Sequence, residues 1–213
     1  MKIDPRNESK DKLLLAMLPH VVFDGWSRKS LVAGRRDLKK HILDTNLLFP
    51  GGLTDVAAHF GSYLDRRMAT ELTKIRLDNM PIRERILTCI SIRLKLIAPH
   101  KEAVRRLLSF LAIPGNQPMG LKMTTRTVDL IWYAAGDTTT DFNYYTKRGL
   151  LAGIYASTIL YWLSDTSEDH NKTDLFLSQR INDVMQIPKL QGAIIKRIKG
   201  LGSLLGHIKR ATF

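Results

Sequence analysis

The sequence predicts an all-α protein, and three observations lead to that prediction. Apolar residues recur at steps of three and four along nearly all of the 213-residue chain, which is the spacing of one helix face. No stretch shows the sustained apolar–polar alternation that is typical of strands. Glycine and proline fall between the periodic segments, where they end helices, and no internal repeat is visible.

Capping residues and helix breakers set the expected boundaries. Asp24 and Gly25 end the first helix, and Ser27 can cap the second through its hydroxyl. Pro81 closes the long fourth helix, and the segment 116–122 is predicted to be a loop. The predicted helices are, in order, 11–23, 28–36, 42–49, 54–79, 83–97, 101–113, 125–135, 141–163 and 173–187.

We divide the chain into three parts on this basis. Residues 1–52 form a unit of three short helices, residues 53–187 a larger helical body, and residues 188–213 a basic appendix. Lysine and arginine number 33 against 20 aspartate and glutamate, a formal net charge of +13, and no acidic residue follows Asp183. Such an excess indicates an anionic partner, either nucleic acid or the phosphate surface of a membrane.

The basic appendix has the pattern of an amphipathic helix that lies in a membrane interface. Its large apolar residues share one stripe, and cationic residues take the rim and the opposite face. Gly200, Gly202 and Gly206 make such a helix marginal in water, so a partner would order it, although packing on its own domain or on another protein remains open. The candidate membrane-contact residues are Leu190, Ile194, Ile195, Lys196, Arg197, Ile198, Lys199, Leu201, Leu204, Leu205 and Ile208.

The first unit resembles the start of a TetR-type regulator, because three short helices lead through a Phe-Pro-Gly turn into a long fourth helix. In that family the third helix enters the major groove of DNA. Here residues 43–49, LDTNLLF, offer no arginine or lysine to guanine or phosphate. We interpret the unit as a helix-turn-helix that no longer reads DNA; a ligand-responsive transcriptional repressor remains the alternative.

Signatures of catalysis are absent from the sequence. The single cysteine, Cys89, excludes an intramolecular disulfide framework and a cysteine metal cluster. The six histidines show no ligand spacing, and there is no glycine-rich phosphate loop or Gly-x-Ser-x-Gly elbow. The uncharged run between Arg148 and Asp165 is shorter than the ~20 apolar residues of a membrane span, so we expect a buried helix there. We predict no enzymatic activity, no metal and no cofactor.

A central motif carries a specific resemblance. Residues 129–148, DLIWYAAGDTTTDFNYYTKR, resemble the hallmark of the coenzyme Q biosynthesis protein nine family, accessory proteins of ubiquinone biosynthesis. The resemblance extends over nearly the whole chain, through 23–26, 48–52, 93–94, 97–99, 149–155 and 176–185. It implies a TetR-like fold and a homodimer built from 148–163 and 173–187. It also implies binding of isoprenoid lipid instead of transcriptional regulation, and a C-terminal helix that associates with membranes.

The same resemblance implies a partner, the di-iron hydroxylase that acts on demethoxyubiquinone. The family surface that contacts this enzyme falls here on Asp129, Ile131, Asp141, Tyr144, Tyr145 and Arg148. Mitochondrial members carry tryptophan where this chain has Tyr144, so a smaller aromatic anchor is expected. The absence of a visible transit segment favours a bacterial protein, peripheral on the cytoplasmic face of the inner membrane; the eukaryotic counterpart is the matrix face of the mitochondrial inner membrane.

An isoprenoid tail requires an apolar cavity with little polar lining. Flexible methionine and leucine side chains adapt to an irregular ligand, although each could equally be an ordinary core residue. The candidate lipid-binding residues are Leu107, Leu108, Leu111, Met119, Leu121, Met123, Ile131, Trp132, Ile154 and Leu160.

Overall fold

A computed structural model of the chain describes residues 5–38, 44–137 and 142–184. Within these ranges every regular element is a helix, so the all-α prediction is confirmed. Short 3₁₀ turns lie at Leu77–Asn79, Ala98–His100 and Glu168–His170. The helices are α1 (Pro5–Asp24), α2 (Arg28–Asp37), α3 (Thr45–Leu48), α4 (Leu53–Leu72), α5 (Ile82–Ile97), α6 (Lys101–Ala112), α7 (Gln117–Ala134), α8 (Phe142–Ser164) and α9 (171–184).

Local sequence signals set the ends of the first helices. Gly25 takes a positive φ of 66° directly after α1, a conformation that glycine adopts at little cost. The Ser27 and Ser30 side chains each accept a hydrogen bond from the other's backbone N–H, the capping box of α2. Asp44 accepts from the N–H of Asn46 at 3.1 Å and begins α3. The cap predicted at Ser27 is therefore confirmed.

The long fourth helix ends at Leu72, so the prediction that it reaches residue 79 is wrong. The guanidinium of Arg85 donates to the carbonyls of Asp78, Met80 and Ala135 at 3.0, 2.8 and 3.1 Å. The carbonyls of Asp78 and Met80 belong to the connection between α4 and α5, and that of Ala135 lies at the end of α7. Arg85 therefore stabilises the break, and the sequence pattern does not reveal this contact.

Helix α7 begins at Gln117, so the loop predicted over 116–122 is also wrong. Pro118 lies in the first turn of α7, where a backbone N–H has no intrahelical acceptor and its loss costs nothing. Gly120 packs against Leu111 of α6, and a Cβ at this position would lie 3.4 Å from Cδ1 of Leu111, an ordinary van der Waals contact. Residues that usually mark turns here serve helix initiation and helix packing.

One apolar core joins the first helices to the rest of the protein. The indole N–H of Trp26 donates to the carbonyl of Ala103 in α6 at 2.9 Å, and its ring lies 5.6 Å from that of Phe60 in α4. Trp162 of α8 is completely buried. The division into residues 1–52 and 53–187 stays a prediction, and residues 188–213 lie outside the described residues. No helix of the described ranges combines the length and apolar character that a bilayer crossing requires.

Asp165 connects the end of α8 to the start of α9. Its carboxylate accepts the backbone N–H groups of Ser167 and Thr173 at 2.8 and 2.9 Å, and both hydroxyls at 2.6 Å. Burial disfavours the charged form, but the hydrogen bonds from both residues outweigh it and hold the pKa of Asp165 well below its usual value. The charged carboxylate thus contributes stability above its unfolded pKa near 4 and loses it as the pH falls.

We expect Asp165→Asn to lower the free energy of unfolding at pH 7 by about 1 kcal/mol or more, because an amide replaces a charged acceptor in a helix cap. The gap to the wild type should narrow as the pH falls below about 4, since the carboxylate then takes up a proton in the unfolded chain while it stays charged in the folded protein, and this favours unfolding of the wild type. Thermal unfolding across this pH range measures both effects. Glu168→Gln, at an exposed position of the same loop, is the control, and equal melting temperatures at pH 7 would contradict the assignment.

Candidate functional site

An apolar cavity of about 210 Å³ lies among α4, α5, α6, α7 and α8. Its wall is mostly aliphatic and aromatic, with Arg93, Thr124 and Thr127 as the polar members. An enclosed cavity of ~150 Å³ is known to hold a benzene molecule, so by proportion this one has room for about eight carbon atoms. This volume is that of a short hydrocarbon segment and is smaller than a long isoprenoid chain.

Half of the predicted lipid-binding residues line this cavity: Leu107, Leu108, Leu111, Met123 and Leu160. The other five do not. Ile131, Trp132 and Ile154 are buried in the core beside it, Met119 lines a neighbouring groove, and Leu121 is 69% exposed on α7. Leu160, which is 61% exposed, marks the mouth of the cavity.

Sequence reasoning missed several apolar residues of the cavity wall, including every residue that α4 and α5 contribute. The missed apolar residues are Phe60, Leu64, Ile97, Val104, Tyr155 and Ile159. One signal was available, because Gly61 and Gly120 interrupt otherwise apolar helical segments and both line the cavity. A missing side chain inside a packed helix indicates either close approach of a neighbour or space for a ligand.

The polar end of the cavity is a buried ion pair. The Arg93 guanidinium donates from Nη1 to Oδ1 of Asp65 at 2.7 Å, and both side chains are only 4% exposed. The hydroxyl of Thr127 donates to the same oxygen at 2.9 Å, and Nε of Arg126 lies 3.3 Å from Oδ2. This network joins α4, α5 and α7 and limits how far the cavity can collapse.

The predicted partner surface is organised around Arg148. Its Nε lies 2.5 Å from Oδ1 of Asp129, and its guanidinium stacks 3.3 Å above the ring of Tyr144. The Tyr144 and Tyr145 rings meet edge to face at 5.2 Å, and Tyr145 is 74% exposed. Four of the six predicted partner residues, Asp129, Tyr144, Tyr145 and Arg148, therefore form one surface cluster, which we call the tyrosine patch.

Two predicted partner residues are not part of the tyrosine patch as described. Ile131 has no exposed surface, so it supports the patch from the core and cannot touch a partner directly. Asp141 lies outside the described residues. Tyr133, which is 84% exposed and one turn after Asp129 on α7, was missed by the sequence prediction.

The exposed side of α8 is open. A Cβ added at Gly149 or at Gly153 would meet no atom within 4 Å, and Leu160 lies further along α8 as an exposed apolar residue. On α9, Leu175 is 65% exposed. These positions lie in the segments predicted to form a homodimer, and the dimer stays a prediction. All eleven predicted membrane-contact residues, 190 to 208, lie outside the described residues.

Groups with catalytic potential are occupied in structural roles. Cys89 is buried, and burial raises the pKa of its thiol to about 11, so the reactive thiolate is scarce at neutral pH. In the described ranges, no three acidic, histidine or cysteine side chains are grouped as metal ligands would be.

Comparisons with known proteins identify relatives over nearly the whole chain. Residues 117–188 match the family model COQ9. The ubiquinone biosynthesis protein COQ9, mitochondrial, of Rattus norvegicus is 31% identical over 209 residues, covering 95% of this chain and 65% of that protein. The Homo sapiens protein of the same name is 30% identical, covering 95% of this chain and 64% of that protein. This chain therefore spans somewhat less than two thirds of the length of these relatives.

A solved structure has the same fold. The TetR transcriptional regulator from Nitrosomonas europaea ATCC 19718 superposes with a TM-score of 0.65 and 21% identity, covering 84% of this chain and 97% of that one. The TetR-like fold predicted from the first four helices is confirmed. At this level of identity the likeness concerns the fold alone.

Proposed function

We propose that this chain is a lipid-binding accessory protein of ubiquinone biosynthesis of the COQ9 type and not an enzyme, on the strength of its match to the COQ9 family model and its similarity to the COQ9 proteins. It binds an isoprenoid quinone intermediate and presents the head group to the demethoxyubiquinone hydroxylase. The observation that carries this proposal is the apolar cavity of about 210 Å³. The names of its relatives supply the pathway, and the cavity supplies a place for the lipid.

The energetics favour partial burial of the tail. At ~0.8 kcal/mol per buried CH₂, about eight carbon atoms in the cavity offset roughly 6 kcal/mol of the tail's transfer out of the bilayer. The rest of a longer tail would leave through the mouth at Leu160 and run along the open side of α8. A second copy of the chain that packs there would cover it, which supports the proposed homodimer.

Filling the cavity should remove the lipid. We expect Leu108→Trp to reduce the isoprenoid lipid that copurifies with the protein at least tenfold, because the larger ring takes the place of several ligand carbons. Mass spectrometry of extracted lipids gives the amount per mole of protein. Leu121→Trp is the matched control, since Leu121 faces solvent outside the cavity, and this variant should retain the lipid. Equal lipid content in both variants would contradict the assigned cavity.

We propose the tyrosine patch as the surface that contacts the hydroxylase. Arg148 stacks on Tyr144 and pairs with Asp129, so the aromatic side chains are held in place before a partner arrives. Tyrosine and arginine in a fixed arrangement are the residues that most often dominate interface energies. Tyr133 extends the same surface on α7.

Introducing a positive charge at the centre of the tyrosine patch should break the contact with the hydroxylase. We expect Tyr145→Lys to weaken binding of the purified hydroxylase at least 30-fold, a loss of about 2 kcal/mol, because an exposed aromatic anchor is replaced by a solvated cation. Calorimetric titration measures the affinity. Phe23→Lys, an equally exposed aromatic position on α1, should bind like the wild type. Unchanged affinity in Tyr145→Lys would exclude the patch.

We further propose a peripheral location on the membrane that holds ubiquinone intermediates. In a bacterium this is the cytoplasmic face of the inner membrane, and in a mitochondrion the matrix face, which fits the mitochondrial names of the relatives. The support is the sequence of residues 188–213, where the large apolar residues share one stripe of a helical projection and the cations take its rim and the opposite face. Each cation near an anionic surface contributes ~1 kcal/mol.

Neutralising three of these cations should release the protein from vesicles. We expect the triple variant Lys196→Gln, Arg197→Gln, Lys199→Gln to sediment with phosphatidylglycerol vesicles roughly a hundredfold more weakly, because about 3 kcal/mol of attraction is lost. A control variant that carries Arg28→Gln, Lys29→Gln and Arg36→Gln removes the same charge from α2. If both variants bind equally, the tail is not the membrane contact.

The rival function, a DNA-binding repressor, has less support. The described α3 exposes Asn46 and Leu47 and contains no cation to pair with guanine or phosphate. Arg28, Arg35 and Arg36 do line a groove between α2 and α3, but such contacts provide affinity without sequence specificity.

A further inference from the structure

A second depression lies beside the apolar cavity and shares part of its wall. This cationic groove runs between α1, α4 and α7, and Lys10, Arg66, Lys122 and Arg126 contribute to it. Gly61 of α4 and Met123 of α7 line both the groove and the cavity. A Cβ at Gly61 would lie 2.9 Å from Cε of Met123, so the methionine occupies the space beside the glycine. At this point a flexible thioether side chain separates an apolar space from a cationic one.

The ion pair described above crosses the same partition. Arg93 lines the cavity, whereas Asp65 and Arg126 line the groove. Two guanidinium groups share one carboxylate, so a net positive charge remains at the partition. In addition, the buried Nε–H of Arg93 has no acceptor within the described part of the chain. An anionic group placed beside this partition would be stabilised by both features.

The groove itself carries excess positive charge. Four cationic side chains line it, against the carboxylates of Asp55 and Asp65. His59 also lines the groove; burial lowers its pKa, the carboxylate of Asp11 opposes that shift, and the ring is neutral near pH 7. Arg66 pairs with Asp11 at 2.5 Å and Arg126 with Asp65 at 3.3 Å. In the described ranges Lys10 and Lys122 have no carboxylate partner, and the ammonium of Lys10 lies 5.3 Å from the centre of the Phe49 ring.

We propose that the cavity and the cationic groove form one bipartite site for an anionic amphiphile. The apolar chain lies in the cavity, and an ionised carboxylate or phosphate head lies in the groove beside Lys10 and Lys122. Met123 turns aside to connect the two, because its unbranched side chain changes rotamer easily. Neutral lipids bind through the chain alone and more weakly. Because this assignment extends the proposed lipid-binding function, it rests on that function.

Calorimetric titration of the full chain with decanoate, decyl phosphate and decan-1-ol tests the head group separately from the tail. We expect the wild type to bind both anions roughly tenfold more tightly than the alcohol. The variant Lys10→Gln, Lys122→Gln should lose most of that preference while its affinity for the alcohol stays unchanged. Lys95→Gln, at an exposed position on α5 outside the groove, should behave as the wild type. The two anions reveal whether carboxylate or phosphate is favoured.

Two results would overturn the bipartite site alone: equal affinity of the wild type for all three probes, or an unchanged anion preference in Lys10→Gln, Lys122→Gln. The variant Leu108→Trp separates this from failure of the proposed function. If Leu108→Trp lowers the affinity for all three probes, the cavity holds the apolar chain, and the two results above reject only the head-group assignment. If it weakens none of them, both the lipid function and the bipartite site are rejected.

Discussion

The buried carboxylate of Asp65 is the interaction on which the rest of the structure depends. Arg93 of α5 and Thr127 of α7 both donate to it from inside the protein, and Arg126 approaches from the surface. Removal of one member of a buried ion pair typically costs about 3–5 kcal/mol, because the remaining charge is left without compensation. The three helices α4, α5 and α7 therefore stay in register around the cavity.

That constraint explains how an apolar space persists in a folded protein. The cavity opens beside Leu160, so its apolar lining is partly accessible from the mouth while the ion-pair network holds the walls apart. A ligand segment of about eight carbon atoms in this space would contribute roughly 6 kcal/mol.

The side chains of the tyrosine patch are also held in a fixed arrangement by an arginine. Arg148 binds Asp129 and Tyr144 at once, so the tyrosine patch loses little side-chain entropy when a partner docks. The patch lies on α7 and α8, and both helices also contribute residues to the cavity. Cargo and partner would therefore meet on the same pair of helices, as expected of a protein that presents a lipid.

Features that depend only on residues close together in the chain could be predicted from the sequence by itself. Helical periodicity set the all-α class, Ser27 set the start of α2, and the motif at 129–148 indicated the likeness to the COQ9 proteins that the comparisons also found. Tertiary structure decided the rest. Periodicity shows that Ile131, Trp132 and Leu108 face inward, but only the packing of five helices decides that Leu108 borders empty space while the other two are enclosed. Likewise, Arg85 ties the connection between α4 and α5 to the end of α7 through the carbonyl of Ala135, which is distant in sequence. Contacts between residues far apart in the chain leave no periodic trace, and those contacts formed the cavity.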